Sequence, residues 1–445
     1  MEVKEASARY ADLVEPPGDA VPFGYKQAEV GVVPDDWNIA KLGDYATFRT
    51  GPFGSALHKS DYVEDGVPVI NPMQIDNGRI FPTASMAVTE AAARKLADFR
   101  LTAGEVIIGR RGEMGRCAVV PTEQAGWLCG TGSMIVRAKP SLDAGFIQRV
   151  LSSPPIISAI ENASVGSTMI NLNQGTLANL RVALPPVKAE QEAIAEALSD
   201  ADALIVSLEQ LIAKKRQIKQ GAMQALLTGK QRLPGFREPW RPMSLGALGT
   251  FLKGRGVARS QAASGDLACV RYGEIYTKHN DFIKEFNSWI SEEVASAATR
   301  LVQGDLLFAG SGETKEEIGK CVAFVGSEEA YAGGDIVILR SSGNDPRFLG
   351  YYLNTAVICA RKASKGQGDA VVHISAEALG SIEIEIPELV EQTAIAAILS
   401  DIDTELAELE TRLAKTRQLK QGMMQELLTG RIRLVPPAMP GASSC

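Results

Sequence analysis

The feature of this sequence that most constrains its fold is an internal repeat. Residues 186–233 align without a gap with residues 387–434 at a constant offset of 201, and 27 of the 48 aligned positions are identical. Unrelated segments of this length would share roughly three identities, because average residue frequencies are near one in twenty. The segment is therefore a true duplication, and the chain must fold as two copies of one arrangement.

Each copy of the repeat predicts one long helix. Its apolar residues are spaced alternately by three and four, which is typical of a coiled-coil seam rather than of a helix lying on a broad core. A proline precedes each helix, and Gly229 and Gly430 stand where C-terminal caps belong. Because both helices carry equivalent seams, we expect them to pack as an antiparallel coiled coil about a pseudo-twofold axis; the alternative is that each packs separately on its neighbouring domain. The predicted seam residues are Leu198, Ala201, Ile205, Leu208, Ile212, Leu399, Ile402, Leu406, Leu409 and Leu413.

The segments between the helices predict two similar globular domains. Trp37 and Phe48 in the first segment recur in the same order as Trp240 and Phe251 in the second. Short apolar runs bounded by Gly and Pro predict strands, and one helix is expected in each segment, at about 144–162 and 346–363. The predicted fold class is α+β, with two domains of mostly antiparallel sheet alternating with two long helices. The predicted boundaries are a disordered segment at 1–20, a first domain at 21–185, a first helix at 186–233, a second domain at 234–386, a second helix at 387–434 and a flexible tail at 435–445.

Composition limits the possible functions. The formal net charge of −7 counts against nucleic-acid binding, although a basic footprint can be local. No run of 18 apolar residues is present, which excludes an ordinary transmembrane helix and predicts no membrane contact. The N-terminal residues lack the apolar stretch of a secretory signal. Six cysteines without a C-x-x-C pair argue against a zinc cage or a disulfide framework and favour reduced thiols in a cytoplasmic protein.

The search for a catalytic motif finds none with the spacing that its chemistry needs. The three histidines are far apart, and a packing or surface role is expected for each. The segment Asn71-Pro72-Met73-Gln74 lacks the second proline and the aromatic residue of the N-P-P-Y/F motif of amino-methyltransferases. No G-x-G-x-x-G follows a predicted strand, and no metal-ligand cluster has usable spacing. We therefore predict that the chain catalyses nothing alone and binds no metal or cofactor.

Basic and amide side chains concentrate in loops at the predicted strand ends. Arg and Lys can neutralise phosphates or read guanine, Asn and Gln can read adenine, and Gly lets a backbone approach closely. For any single residue, the alternative to DNA contact is a place in an ordinary solvated loop. Taken together, these loops favour a DNA-binding surface on each domain.

The sequence resembles the specificity subunit of type I restriction–modification systems. The resemblance lies in the lead segment 24–37, in helix starts of the form P-P-x-x-x-E-Q-x-x-I, and in helix ends of the form K-Q-G-x-M-Q-x-L-L-T-G at 219–229 and 420–430. The first helix start, at 185–194, has both prolines, and the second copy keeps one. The resemblance implies two target-recognition domains, each reading one half of a bipartite, asymmetric site in double-stranded DNA. It also implies helices that set the gap and dock two modification (methyltransferase) subunits, with restriction subunits joining them. S-adenosylmethionine, ATP and Mg would then be bound by those partners and none of them by this chain.

Within this resemblance, DNA-contacting residues are assigned by position alone. The candidates in the first domain are Arg49, Lys59, Asn71, Gln74, Arg110, Arg111, Ser167 and Thr168. The candidates in the second domain are Lys253, Arg255, Arg259, Arg271, Lys365 and Gln367. The main alternative function is a coiled-coil scaffold whose domains bind protein or carbohydrate, which the acidic charge favours. A free-standing methyltransferase is disfavoured by the missing cofactor and target-base motifs.

Overall fold

The computed structural model describes residues 21–52, 56–163, 171–368 and 371–435. The segment 1–20, predicted to be disordered, and all but the first residue of the predicted tail lie outside these residues. The chain divides into two compact units: unit 1 comprises Met1–Ser207 and Leu413–Cys445, and unit 2 comprises Leu208–Arg412. The first globular domain lies in unit 1 and the second in unit 2.

Unit 1 contains two four-stranded sheets with short helices beside them. The first sheet is antiparallel, in the order Cys117–Val119, Val106–Gly109, Ser133–Ala138 and Ala46–Thr50. The second has the order Leu128–Cys129, Val67–Ile70, Ala87–Val88 and Tyr62–Val63, and its first pair is parallel. Two-stranded pairs join Tyr25–Ala28 with Gly31–Pro34, Asn38–Lys41 with Arg181–Leu184, and Ile75–Asp76 with Arg79–Ile80. The short helices are Leu42–Tyr45, Glu90–Lys95, Ala144–Leu151, Pro154–Asn162 and Gln174–Asn179.

Unit 2 repeats this plan with different loops. Its antiparallel sheet has the order Gly249–Lys253, Ile336–Ser341, Asp305–Ala309 and Cys321–Ala323. The other sheet has the order Ser288–Ile290, Leu267–Val270, Ala330–Ala332 and Thr299–Arg300, with a parallel pair in its centre. Two-stranded pairs join Arg241–Ser244 with Glu383–Ile386, and Ser311–Gly312 with Val372–His373. The short helices are Tyr272–Thr277, Glu292–Ala297, Pro346–Tyr352, Ala356–Lys365 and Ala376–Gly380. The predicted α+β class with mostly antiparallel sheet is confirmed in both units.

The single helices predicted at 144–162 and 346–363 are each broken into two, so that prediction is wrong in detail. In unit 1 the break precedes Pro154, which has no N–H for the helix ladder and disfavours helical backbone at Ser153. In unit 2 the break falls at Asn354, whose side chain binds the neighbouring strand instead. Its Oδ1 accepts from the Cys321 N–H at 3.0 Å, and its Nδ2 donates to the Cys321 carbonyl at 2.7 Å.

The two predicted long helices span Lys188–Leu226 and Leu389–Leu427, and each has 39 residues, or about 58 Å at 1.5 Å per residue. Each helix contributes one part to unit 1 and the other part to unit 2. In unit 1, Asp202 pairs with Lys420 at 2.6 Å, and Glu190 pairs with Arg433 beyond the end of the second helix. The partner's number falls as the first helix advances, so the helices run antiparallel in this unit.

The same arrangement is found in unit 2. Lys215 pairs with Glu405, and Lys219 pairs with Asp403 at 2.7 Å, so the partner's number again falls as the first helix advances. The predicted antiparallel pairing of the helices is confirmed. Of the ten predicted seam residues, five are buried (Leu198, Leu208, Ile212, Leu399 and Leu406) and the other five are partly buried.

The helices also pack on the globular domains, although not separately, as the alternative prediction required. The core of the first domain includes Ile194 and Leu198 from the first helix together with Leu427 from the second. The core of the second domain includes Ile395 and Leu399 together with Leu226 in the equivalent way, so each domain core is completed by parts of both helices.

Two arginines that follow the long helices fasten these helix ends. In unit 1, Arg433 donates to the carboxylates of Glu190 and Asp36, and the Glu190 side chain is only 3% exposed. In unit 2, the repeat-equivalent Arg232 donates two bonds of 2.6 Å to Glu391, which is 2% exposed. A buried carboxylate needs such a partner because its desolvation otherwise costs several kcal/mol.

Candidate nucleic-acid interface

In the first domain, backbone hydrogen bonds hold the loops together where several strands end. We call this set of bonds the first frame. Its bonds, from donor to acceptor, are Gly51 N to Ser133 O (3.0 Å), Gly130 N to Ile70 O (2.8 Å), Arg110 N to Gly132 O (2.9 Å) and Leu172 N to Arg110 O (2.9 Å). Because these are backbone bonds, they position the loops whatever side chains the loops carry.

The second domain contains an equivalent set of bonds, which we call the second frame. Its bonds are Gly254 N to Ile336 O (2.8 Å), Gly333 N to Val270 O (2.9 Å), Gly310 N to Asp335 O (2.8 Å) and Ile374 N to Gly310 O (3.0 Å). The two sets match bond for bond. Arg110 therefore corresponds to Gly310 and Asn71 to Arg271, although the loop sequences differ.

Glycine is required where two loops of each frame meet. A Cβ on Gly51 would lie 1.8 Å from the carbonyl oxygen of Gly130, and a Cβ on Gly254 would lie 2.0 Å from that of Gly333. Neither distance leaves room for a side chain. The glycines in these loops thus serve the close approach of one loop to another within the domain.

Arg110 and Arg111 form the most basic point of the first frame. The Arg110 Nε donates to the Leu172 carbonyl at 3.3 Å, while Arg111 is exposed and its backbone bridges to Asn171. Burial lowers the pKa of Arg110, and the neighbouring charge of Arg111 lowers this pKa further. Two adjacent guanidinium groups at the end of a sheet create a local positive potential in an otherwise acidic chain.

The remaining candidates of the first domain take no part in the bonds of the first frame. Arg49 pairs with Asp98 at 2.6 Å and lies over the Phe99 ring, and both charged groups remain substantially exposed. Lys59 begins a short turn, Lys59–Asp61, after the loop that follows the first frame. Ser167 and Thr168 lie outside the described residues.

Asn71 and Gln74 are held by hydrogen bonds to each other and to a neighbouring loop. The Gln74 Oε1 accepts from the Asn71 N–H at 2.9 Å, and the Asn71 Oδ1 accepts from the Gly132 N–H at 3.0 Å. Gln74 is 7% exposed, so its amide is turned inward. Amide side chains form such local turns as readily as they read bases. Contact of these two residues with DNA stays a prediction.

The candidates of the second domain are mostly solvent-facing. Lys253, Arg255 and Arg259 are exposed on the segment that enters the second frame, and Lys365 and Gln367 are exposed at the end of the helix Ala356–Lys365. Arg271 differs from them because it is partly buried, with its Nε 3.0 Å from the Ser288 Oγ. The structure thus brings Lys253, Arg255 and Arg271 to the second frame, together with Gln367, whose backbone exchanges hydrogen bonds of 2.9 and 2.8 Å with that of His373.

Sequence reasoning missed His373 and Ser311. The His373 ring Nδ1 lies 2.9 Å from the Ser311 Oγ at the second frame, and the histidine side chain is exposed. The short strand pair that joins Ser311 with His373 corresponds to the bridge of Arg111 with Asn171 in the first domain. No local signal marks these residues, because only the matching of the two frames shows that they occupy equivalent positions.

The described residues contain no group of three or more His, Cys, Asp and Glu that could hold a metal ion. Burial raises the pKa of Cys117 and that of Cys321 to about 12, so neither thiol supplies a thiolate nucleophile at neutral pH. Among the residues that the structure describes, no helix is long and apolar enough to span a membrane. The first frame offers guanidinium and amide groups, and the second offers guanidinium, ammonium and imidazole groups. Such groups can bind phosphates and base edges.

Comparison with known sequences finds one family over most of the chain. The family model described as "Type I restriction modification DNA specificity domain" matches twice, at residues 34–220 and 237–421. The putative type I restriction enzyme MjaX specificity subunit of Methanocaldococcus jannaschii is 25% identical over 441 residues, which cover 92% of this chain and 97% of that protein. The EcoKI specificity subunit of Escherichia coli K12 is 21% identical, with 90% of each chain covered.

Solved structures agree in fold. The S subunit of a type I restriction–modification system from M. genitalium has a TM-score of 0.57 at 16% identity, with 93% of this chain and 99% of that chain covered. A chain from a study of assembly and conformational transition in a type I system has a TM-score of 0.51 at 18% identity, with 90% and 99% covered. At these identities the likeness shows the fold alone.

Proposed function

Because this chain belongs to the family of type I restriction modification DNA specificity domains and is a specificity subunit, we propose that each of its globular domains reads one half of a bipartite, asymmetric site in double-stranded DNA. The long helices set the gap between the half-sites and dock two modification (methyltransferase) subunits, which restriction subunits then join. S-adenosylmethionine, ATP and Mg are bound by those partners, and this chain is a non-catalytic part of the complex.

The observation that carries this proposal is the match of the two frames. The same backbone bonds hold the loops of both domains, yet the side chains at equivalent positions differ. Arg110 of the first domain is equivalent to Gly310 of the second, and Asn71 is equivalent to Arg271. A shared set of backbone bonds that carries different polar side chains suits two domains that recognise two different DNA sequences. It suits a scaffold less well, because nothing in a scaffold role calls for duplicated supports with exchanged guanidinium and amide groups.

The polar groups divide by the contacts that they can make. Arg111, Lys253 and Arg255 are exposed and flexible, which suits contacts with phosphates or guanine edges. His373 is exposed and lies within hydrogen-bond distance of Ser311, so its ring is oriented before DNA arrives. Oriented groups contribute more to specificity because less side-chain freedom is lost on binding.

The helix pair suits a spacer because ion pairs fix its register in both units. In unit 1 Asp202 accepts from Lys420, and in unit 2 Asp403 accepts from Lys219; all four side chains are no more than 23% exposed. A pair fixed in register keeps a constant length. The acidic charge of the chain is compatible with DNA binding if partner subunits supply part of the phosphate neutralisation.

The proposal is tested by sequencing the methylated bases of cells that express this chain with a candidate methyltransferase subunit. Cells with the methyltransferase alone are the control. We expect a new bipartite N6-methyladenine motif that appears only when this chain is present. A stable complex that binds duplex DNA no better than the methyltransferase alone would refute the proposal and favour the scaffold.

The spacer role has its own test. Inserting seven residues into both helices, between Asp202 and Lys219 and between Asp403 and Lys420, adds about 10.5 Å while keeping the seam in phase. This length corresponds to about three base pairs at 3.4 Å each. We expect a longer gap with both half-sites unchanged. An insertion into one helix alone is the control, because it shifts the partners out of register; a doubly extended chain with the parental gap would contradict the spacer role.

A further inference from the structure

A four-residue turn, Asn71-Pro72-Met73-Gln74, leaves the strand Val67–Ile70 at the first frame. Two hydrogen bonds close this turn: the Gln74 N–H donates to the Asn71 carbonyl at 2.9 Å, and the Asn71 N–H donates to the Gln74 Oε1 at 2.9 Å. We call these four residues the pedestal turn. Its ends are bonded to each other, so its backbone has little freedom.

The pedestal turn is also packed tightly on the sheet. A Cβ on Gly109 would lie 3.1 Å from the Pro72 Cβ, and a Cβ on Gly132 would lie 2.9 Å from the Pro72 Cδ. The proline ring thus sits directly on the backbone of two loops. The Asn71 Oδ1 adds a hydrogen bond of 3.0 Å from the Gly132 N–H, so three of the four residues are held by the domain.

Met73 is the exception, with 87% of its surface exposed. An apolar side chain on a mobile loop can be exposed without consequence, but this one is carried by a closed turn that packs on Gly109 and Gly132, and Gly109 directly precedes Arg110 and Arg111 in the sequence. The thioether side chain is flexible and polarizable, which lets it fit an irregular apolar surface.

The second domain has an equivalent turn at Arg271-Tyr272-Gly273-Glu274. Its ends are bonded in the same way: the Glu274 N–H donates to the Arg271 carbonyl at 2.9 Å, and the Arg271 N–H donates to the Glu274 Oε2 at 3.1 Å. Glu274 is buried, as Gln74 is, and it also accepts from the Ser288 hydroxyl. This turn exposes Tyr272, at 41% of its surface. Each domain therefore uses a closed turn to hold one large side chain in solvent at its frame.

We propose that Met73 is a specificity-determining residue of the first half-site, where it contacts the methyl group of a thymine in the major groove, and that Tyr272 holds the corresponding place in the second domain. The inference rests on the proposed function. The thymine methyl is the apolar group that base pairs display on the major-groove edge, so it is the natural partner of an exposed apolar side chain among polar readers. Asn71 and Gln74 then act through Met73, by holding it in place.

The test uses the complex of this chain with its methyltransferase subunits and duplexes in which the thymines of the first half-site are replaced one at a time by uracil. Uracil lacks only the methyl group. For the wild-type chain we expect one such replacement to weaken binding by about five-fold, the lower end of the cost of a wrong base pair. Met73→Ala should weaken binding to the thymine duplex by a similar factor and lose all sensitivity to that replacement.

Two further variants separate a contact from a general surface effect. Met73→Leu keeps an apolar side chain and should retain the discrimination between thymine and uracil. Phe23→Ala removes a fully exposed apolar side chain away from the frame and should change nothing. The inference is overturned if Met73→Ala keeps the full sensitivity to every uracil, or if no uracil affects the wild-type chain. Failure of the wild-type complex to bind any sequence specifically would instead refute the proposed function itself.

Discussion

Replacing Arg433 by alanine should destabilise unit 1 strongly while leaving unit 2 unchanged. The Arg433 guanidinium donates to Glu190 at 2.8 Å and to both oxygens of Asp36, at 2.9 and 3.0 Å, and it lies over the Trp37 ring. With the arginine removed, the Glu190 carboxylate stays in its 3% exposed position without a charge partner.

The expected loss in the free energy of unfolding follows from the burial of the Glu190 carboxylate. Removing one member of a buried ion pair costs about 3–5 kcal/mol, because the remaining charge is unpaired. The bond to Asp36 adds less than about 1 kcal/mol, since that carboxylate is 37% exposed and screened by solvent. Domains are stable by only about 5–15 kcal/mol. At about 2–4 °C per kcal/mol for a unit of this size, the melting temperature of unit 1 should fall by about 6–20 °C.

The assay is peptide-resolved hydrogen exchange of the full chain in increasing urea, which measures the opening of the two units separately. The matched control is Arg431→Ala, two residues away, because Arg431 pairs with Glu426 at an exposed site and should cost less than about 1 kcal/mol. A double variant, Glu190→Gln with Arg433→Met, should recover most of the loss. The reasoning fails if Arg433→Ala costs no more than Arg431→Ala, or if it loosens unit 2 equally.

Other outcomes follow from single groups. Lys362 is fully buried with its Nζ 2.7 Å from the Gly319 carbonyl, and burial lowers its pKa below 10.5, so the folded state binds fewer protons than the unfolded state. Urea unfolding should show that the stability of unit 2 in the wild type, taken relative to that in Lys362→Met, rises with pH up to about pH 10.5, and that Lys362→Met is the more stable of the two at neutral pH. Gly51→Ala should weaken DNA binding because the Cβ of the alanine would meet a carbonyl oxygen at 1.8 Å. Gly221 has open space around it, so Gly221→Ala should stabilise the first long helix by about 0.5–1 kcal/mol in the same urea assay. Iodoacetamide at pH 8 should label the partly exposed Cys359 but spare Cys321 until the protein is unfolded, which mass spectrometry of the peptides would read.

The long helices could be predicted from the sequence because their signals are local. The alternating spacing from Leu198 to Ile212, the preceding prolines and the glycines at 229 and 430 all lie within one repeat. The ion pairs that fix their register could not be predicted. Lys219 and Asp403 are 184 positions apart, and the sequence around either residue does not indicate its partner.

The candidate interface could be predicted only in outline. Loops rich in Arg, Asn and Gly were sufficient to indicate a polar surface, but the frame depends on backbone bonds, which constrain residue identity at close approaches such as Gly51 and Gly254 and not at the polar positions. Arg110 and Gly310 occupy equivalent positions and share no chemistry, so the side chain at one position does not indicate the role of the other. The sequence likewise favoured Asn71 and Gln74 as DNA contacts because amides can read bases, whereas nothing in it singled out Met73, which lies between them.

The frames also bear on how such a protein can evolve. Mutation at Arg111, Met73 or His373 alters an exposed side chain without breaking a bond of either frame, so the loops keep their positions while their chemistry changes. The contacts that fasten the long helices, such as Arg433 with Glu190, lie elsewhere and are not altered by such mutations. Under the proposed function, selection for a new target can therefore act on a few exposed positions while the contacts that hold the rest of the molecule are unaffected.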